Sequence, residues 1–176
     1  LGNILDFDNL TEENIYVLDS PILTNTQFKK FKKFFSKKVR VIDCTFDIER
    51  SLKERIESIR KEAETAVREG STCLVLSDKN ISNQKASIPS ILTVGAVHSH
   101  LVKHGLRGYC SLNVECSDAM DTHSFAILIG VGATTVNPYL AIDSIYQRFE
   151  KKLFGKSDFE TCVSKFKKSI DAGLLK

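Results

Sequence analysis

No apolar stretch in the chain approaches the ~20 residues that a membrane-spanning helix needs, and nothing in it has the layout of a secretory signal. The sequence therefore offers no membrane partner. Charge of one sign is also scarce: 25 Lys and Arg against 22 Asp and Glu leave a formal +3. A field that mild gives no reason to expect nucleic acid as the main partner. The five cysteines contain no CxxC pair, which removes the common zinc and dithiol motifs. Their odd number, with three in or beside predicted strands, fits small buried hydrophobes in a reducing compartment. No GxSxG elbow and no HExxH pair occurs either.

What is present is an ordinary globular composition, 42% hydrophobic and 27% charged over 176 residues, enough for one domain with a sizeable core. The chain begins at Leu1 rather than Met and stops inside a helix pattern, as a piece of something larger would. Residues 1–38 read as an N-terminal arm and residues 39–176 as a parallel βα core. In the arm, Leu5, Phe7, Leu10, Ile15, Val17, Leu18 and Pro21–Ile22–Leu23 suggest an extended segment packed across another surface. A short helix at about 25–36 follows, with Phe28, Phe31, Phe34 and Phe35 at helical spacing and lysines on its other face. A Phe and Lys interleave can stack bases and neutralise phosphates, but the spacing already accounts for the aromatics as an amphipathic stripe, so the lysines read as a solvated face.

From Val39 the pattern is regular. Apolar runs at 39–46, 73–76, 109–114 and 134–136 alternate with helix patterns, and their starts are spaced close to the ~30 residues of a βαβ unit. Ser51 with Glu54 and Ser157 with Glu160 have capping-box spacing, and Pro89 suits a first helical turn. The helix near 88–105 is apolar around most of its circumference, which predicts cover on more than one side. The fold class is α/β: about four βα units forming a parallel sheet or a partial (βα) barrel, with an extended N-terminal arm. Parallel strands put their carboxyl ends on one rim, where ligand sites of such folds form.

That rim offers Asp47, Asp78, Glu115 and Asn137. Each has a structural role available: Asn137 as a helix cap, Asp78 paired with Lys79 or orienting its loop, Glu115 on backbone amides of the following turn. His100 and His104 stand four apart on one helix, the spacing of a zinc pair, but no third ligand is evident in the sequence. Cys44 and Cys116 each follow a carboxylate, which raises a thiol pKa. Gly130–Val131–Gly132 precedes a strand instead of following one, so it reads as a tight turn and not as a phosphate cradle. No residue is assigned to catalysis, cofactor or metal.

The letters carry one more message. Leu74–Lys79, Ile88–Pro89, Gly95–Leu101, Gly105–Arg107, His123–Ala126, Gly130–Ala133 and Val136–Ala141 occur in the order seen in the central domain of the glutamate synthase large subunit. Leu1–Asn3, Ser20–Leu23 and Gly173–Lys176 extend the match, and the chain resembles the C-terminal part of that domain. The resemblance implies a parent that takes ammonia from glutamine and adds it reductively to 2-oxoglutarate, giving glutamate. It implies partners in the same polypeptide, an amidotransferase domain and an FMN-binding domain with an iron–sulfur cluster, and no cofactor here. A bacterial cytoplasm or a plastid stroma is the implied location. The family often has a second histidine where this chain has Ser124, and a glycine-containing turn after the glutamate where it has Cys116–Ser117. No catalytic residue carries over.

Overall fold

A computed structural model describes residues 16–176. The arm positions Leu5, Phe7, Leu10 and Ile15 lie outside the described residues. The elements, in order, are α1 (Asn25–Phe35), β1 (Val39–Asp43), β2 (Thr45–Asp47), α2 (Leu52–Arg68), β3 (Cys73–Ser77), β4 (Lys85–Ser87) and α3 (Ser90–Lys103). Then come β5 (Ser111–Glu115), α4 (Thr122–Gly130), β6 (Thr135–Asn137), α5 (Tyr139–Glu150) and α6 (Phe159–Leu174). Four strands pair in parallel in the order β1-β3-β5-β6, and β2 with β4 makes a small antiparallel ribbon.

The sequential strand order explains the layering. Each step from β1 through β3 and β5 to β6 moves one place in the same direction, so right-handed crossovers put α2, α3 and α4 on one face. On that face Ile59, Ala63, Val97, Leu101, Phe125, Leu128 and Ile170 pack on Leu74, Leu76, Leu112, Val114 and Val136. Before β1 the chain sits at the far edge: Ile22 bridges Val136 in parallel, with Leu23 N–H donating to the Val136 carbonyl at 2.9 Å. Crossing back from that edge to β1 reverses direction, and the same handedness then places α1 on the opposite face. Phe28 and Phe31 of α1 are buried there with Leu23, Cys73 and Val75. Of the two architectures the sequence left open, the chain adopts the open parallel sheet, because α1 fills the face that a barrel would turn inward.

Several local expectations shift, each for a physical reason. The apolar run 39–46 is not one strand: the Asp43 carboxylate accepts from Thr45 N–H and Oγ1 at 2.9 and 2.8 Å, turning the chain so that β2 leaves the main sheet. Tyr109 falls in a single 3₁₀ turn before β5. The last helix is capped by Asp158, not Ser157, since its carboxylate takes Thr161 N–H at 2.7 Å. Ser51 does cap α2 through Glu54 N–H. A full reciprocal capping box stands instead at Thr24 and Gln27, fixing where α1 starts.

Gly132 is a position where glycine is required. Its φ is +116°, and an added Cβ would collide with the His98 ring. Arg107 closes the same corner, donating from Nε to His98 Nδ1 at 3.2 Å, from Nη1 to the Cys110 carbonyl at 2.6 Å and from Nη2 to the Gly132 carbonyl at 2.8 Å.

Candidate functional site

Parallel register brings one polar residue from each strand end onto a single line. Asp43 pairs with Ser77, Ser77 with Glu115, and Glu115 with Asn137. Residues in register on parallel strands point to the same face, so all four side chains lie on the α1 side of the sheet. The sequence expected Asp47 in this row. Asp47 instead ends β2 in the antiparallel ribbon, and Asp43 takes its place.

Glu115 is the electrostatic centre of the row. It is 5% exposed, yet its carboxylate accepts from Ser77 Oγ at 2.8 Å, Lys32 Nζ at 3.3 Å and Lys79 Nζ at 3.0 Å. Burial opposes its charge, but the Ser77 hydrogen bond and the two ammonium groups outweigh it and hold the carboxyl below its ordinary value. The expected role on backbone amides of the following turn is therefore corrected: Glu115 ties together β3, the β3–β4 loop and α1. Lys32 likewise leaves the solvated lysine face and turns inward over the Phe28 ring, 4.9 Å from its centre.

Asp78 does not pair with Lys79. Its Oδ2 accepts from Ser117 N–H at 2.9 Å and Ser117 Oγ at 2.6 Å, binding the β3 loop to the β5 loop. Asp78 Oδ1 is buried without an aligned hydrogen bond. Burial first, and then the neighbouring Asp78 carboxylate, push the Tyr139 hydroxyl pKa well up, so this phenol stays protonated at neutral pH. Asn137 does not cap α5, whose N-cap is Pro138 without a side-chain bond. The Asn137 amide donates to the Leu23 carbonyl and to Asn25 Oδ1, both at 2.9 Å, anchoring the segment that enters α1.

Asp43 completes the row on the β1 side. Burial acts against its charge, but Asn80 Nδ2 at 3.1 Å, Thr45 and Lys85 keep its pKa low. The strand-end residues are thus engaged with one another or with neighbouring loops and α1, and a groove opens beside them. It has a volume of about 740 Å³ and lies between the start of α1, α5 and α6, lined by Asn25, Asp143, Tyr146 and Lys167 among others.

The resemblance assigns the flavin and the iron–sulfur cluster to other domains of the parent. An iron–sulfur cluster needs converging thiolates. Cys44, Cys73, Cys110 and Cys116 are buried, and burial raises the pKa of each, to about 12 for Cys44 and about 11 for Cys73. Among the described residues no group of three thiols comes together. At the glycine turn the N–H groups of Val131, Gly132 and Ala133 are all donated to carbonyls of α4, leaving none for a phosphate. Neither these four thiols nor this turn gathers such donors.

Sequence reasoning missed Asp43 and Ser117, gave Ser77 at its strand end no role, and left Lys32 on the solvated lysine face. Only the small-polar ending of each apolar run signalled the row, and nothing local signalled that α1 would reach it. It also missed Glu64, which α2 brings to 2.7 Å from His100 Nε2.

Comparison with known proteins agrees with the order of motifs. The family model for the glutamate synthase central domain matches residues 1–176. The NADPH glutamate synthase large chain of Azospirillum brasilense is 44% identical over 179 residues, covering 100% of this chain and 12% of the relative. The corresponding large chain of Bacillus subtilis is 39% identical over 184 residues, and the ferredoxin-dependent chloroplastic glutamate synthase of Spinacia oleracea is 35% identical over 190. In both, this chain again spans 12% of the relative's length. Among the described residues no helix is long and apolar enough to cross a membrane. With a full-length family match, and a parallel sheet whose strand ends the quoted motifs build, the chain belongs to the glutamate synthase central domain family.

Proposed function

We propose that this chain acts as a positional, non-catalytic unit of a glutamate synthase large subunit. The parent reaction on this reading is reductive addition of glutamine-derived ammonia to 2-oxoglutarate. The amidotransferase, FMN and iron–sulfur chemistry belongs to other domains of the same polypeptide, in a bacterial cytoplasm or plastid stroma. The observation that carries the reading is the row Asp43, Ser77, Glu115, Asn137, whose polar groups are committed to holding neighbouring loops and α1. A rim spent on internal contacts supports a framework role. The outer side of α3 supports it too, since Ile91, Leu92 and Val102 are exposed there and suit cover by a flanking domain.

One observation favours a second reading, a small-ligand site at the strand ends: Asp78 Oδ1 is buried without an aligned hydrogen bond, with the Tyr139 hydroxyl the polar group beside this carboxylate. Asp78→Asn in the complete enzyme separates the two. The framework reading expects a lower melting temperature with glutaminase and glutamate-forming turnover per folded molecule unchanged. Loss of turnover with an unchanged melt overturns it in favour of the ligand site.

A further inference from the structure

Away from the strand ends, α2 and α3 pack side by side on the other face of the sheet through Ile59, Ala63, Val97 and Leu101. Glu64 follows the buried Ala63 and flanks this seam. Opposite it, His100 and His104 stand one helical turn apart, their ring centres separated by 4.2 Å. His100 Nε2 lies 2.7 Å from Glu64 Oε2 and His104 Nε2 lies 4.0 Å from the same oxygen. One donor atom from each of the three residues falls within 4.8 Å of the other two.

We propose that Glu64 Oε2, His100 Nε2 and His104 Nε2 form a site for a divalent transition metal of the zinc class, with water completing the coordination. Zinc bonds of about 2.0–2.1 Å at tetrahedral angles set donor atoms roughly 3.3 Å apart. The separations of 2.7 and 4.0 Å from Glu64 Oε2 bracket that spacing, and all three residues place a donor within 4.8 Å of the others.

Two further contacts prepare the donors. His104 Nδ1 lies 2.8 Å from the His100 carbonyl, which can only accept, so this ring donates from Nδ1 and Nε2 is the nitrogen left for a metal. Arg68 Nε and Nη2 hold Glu64 Oε1 at 2.9 and 2.8 Å, which orients the carboxylate and leaves Oε2 for the metal. Metal sites fix their ligands through outer partners of this kind.

In the present pairing His100 Nε2–H donates to Glu64. Metal binding displaces that proton, to Nδ1 of the same ring when the imidazole is neutral or to solvent when it is charged. Only coordinate bonds form, and no electron is transferred.

The test is titration of the full chain with Co²⁺, read by its visible d–d absorption and by competition with Zn²⁺. One equivalent binding in a low-symmetry site of nitrogen and oxygen donors is expected. His104→Ala, at an exposed helix end, and Glu64→Gln should each weaken binding by more than the roughly 10- to 100-fold that losing an outer partner costs. His123→Ala, outside the cluster, should leave it unchanged. Thermal melts in EDTA establish that each variant folds. Absence of one-equivalent Co²⁺ binding, or equal affinity in the His104 variant, overturns the site. Loss in the His104 variant with full retention in Glu64→Gln overturns the three-donor assignment.

Discussion

Lys32 Nζ meets Glu115 Oε1 at 3.3 Å across 83 residues of sequence, joining the helix on one face of the sheet to the end of a central strand. The pair is asymmetric in burial, with the lysine side chain 29% exposed and the glutamate 6%. Desolvation therefore falls mainly on the carboxylate, and the second ammonium group, Lys79, together with Ser77 Oγ is what keeps it ionised.

Glu115→Gln should lower stability by about 1–3 kcal/mol, the cost of disturbing a buried hydrogen-bonded charge whose lysine partners can still reach water. Denaturant unfolding at neutral pH measures this.

The same residue carries a pH signature. Because its carboxyl pKa in the fold lies below the ordinary value of 4.5, the contribution of Glu115 is fully present above that pH and fades as pH falls through the lower, folded value. Parent protein should lose stability more steeply than Glu115→Gln between neutral and acidic pH, the two curves converging at the acid end. Parallel curves would show that the carboxylate is not held ionised by its partners.

Gly132→Ala and Gly130→Ala should differ in sign. At 132 the alanine must adopt φ near +116° and displace His98 from Arg107, so a loss of roughly 2 kcal/mol or more is expected. At 130 the backbone is helical and the added methyl meets open space, so a gain of about 0.5–1 kcal/mol is expected. Paired melting temperatures decide it.

Asn137→Ala removes the amide that holds the Leu23 carbonyl and Asn25. A loss of about 1–3 kcal/mol is expected, together with faster amide exchange at Leu23, whose N–H is donated to Val136. Unchanged exchange there would show that the bridge to β6 stands without this anchor.

Thiol labelling should be graded. Cys44, Cys73, Cys110 and Cys116 are buried with raised pKa values, while Cys162 is half-buried. Near about pH 8, Cys162 should react first and the other four only on unfolding. Mass spectrometry after timed alkylation reads the order.

The sequence by itself determined the parallel βα rhythm, because buried strands read as short apolar runs and helices as 3.6-residue stripes, both local properties. It also determined the family, through the order of motifs from Leu74 to Ala141. It placed polar residues at strand ends, and it recognised the His100 and His104 spacing. Only the tertiary structure decided which groups meet. Register across three strand pairings aligned Asp43, Ser77, Glu115 and Asn137, and the turn at Asp43 removed Asp47 from that row. The reversed crossover put α1 on the opposite face, converting Lys32 from a surface lysine into a partner of Glu115. Packing of α2 on α3 brought Glu64 to His100, 36 residues away in sequence, and to His104 beyond it. Propensity and capping act over a few residues, whereas these juxtapositions depend on strand order and handedness, which no single window of sequence contains.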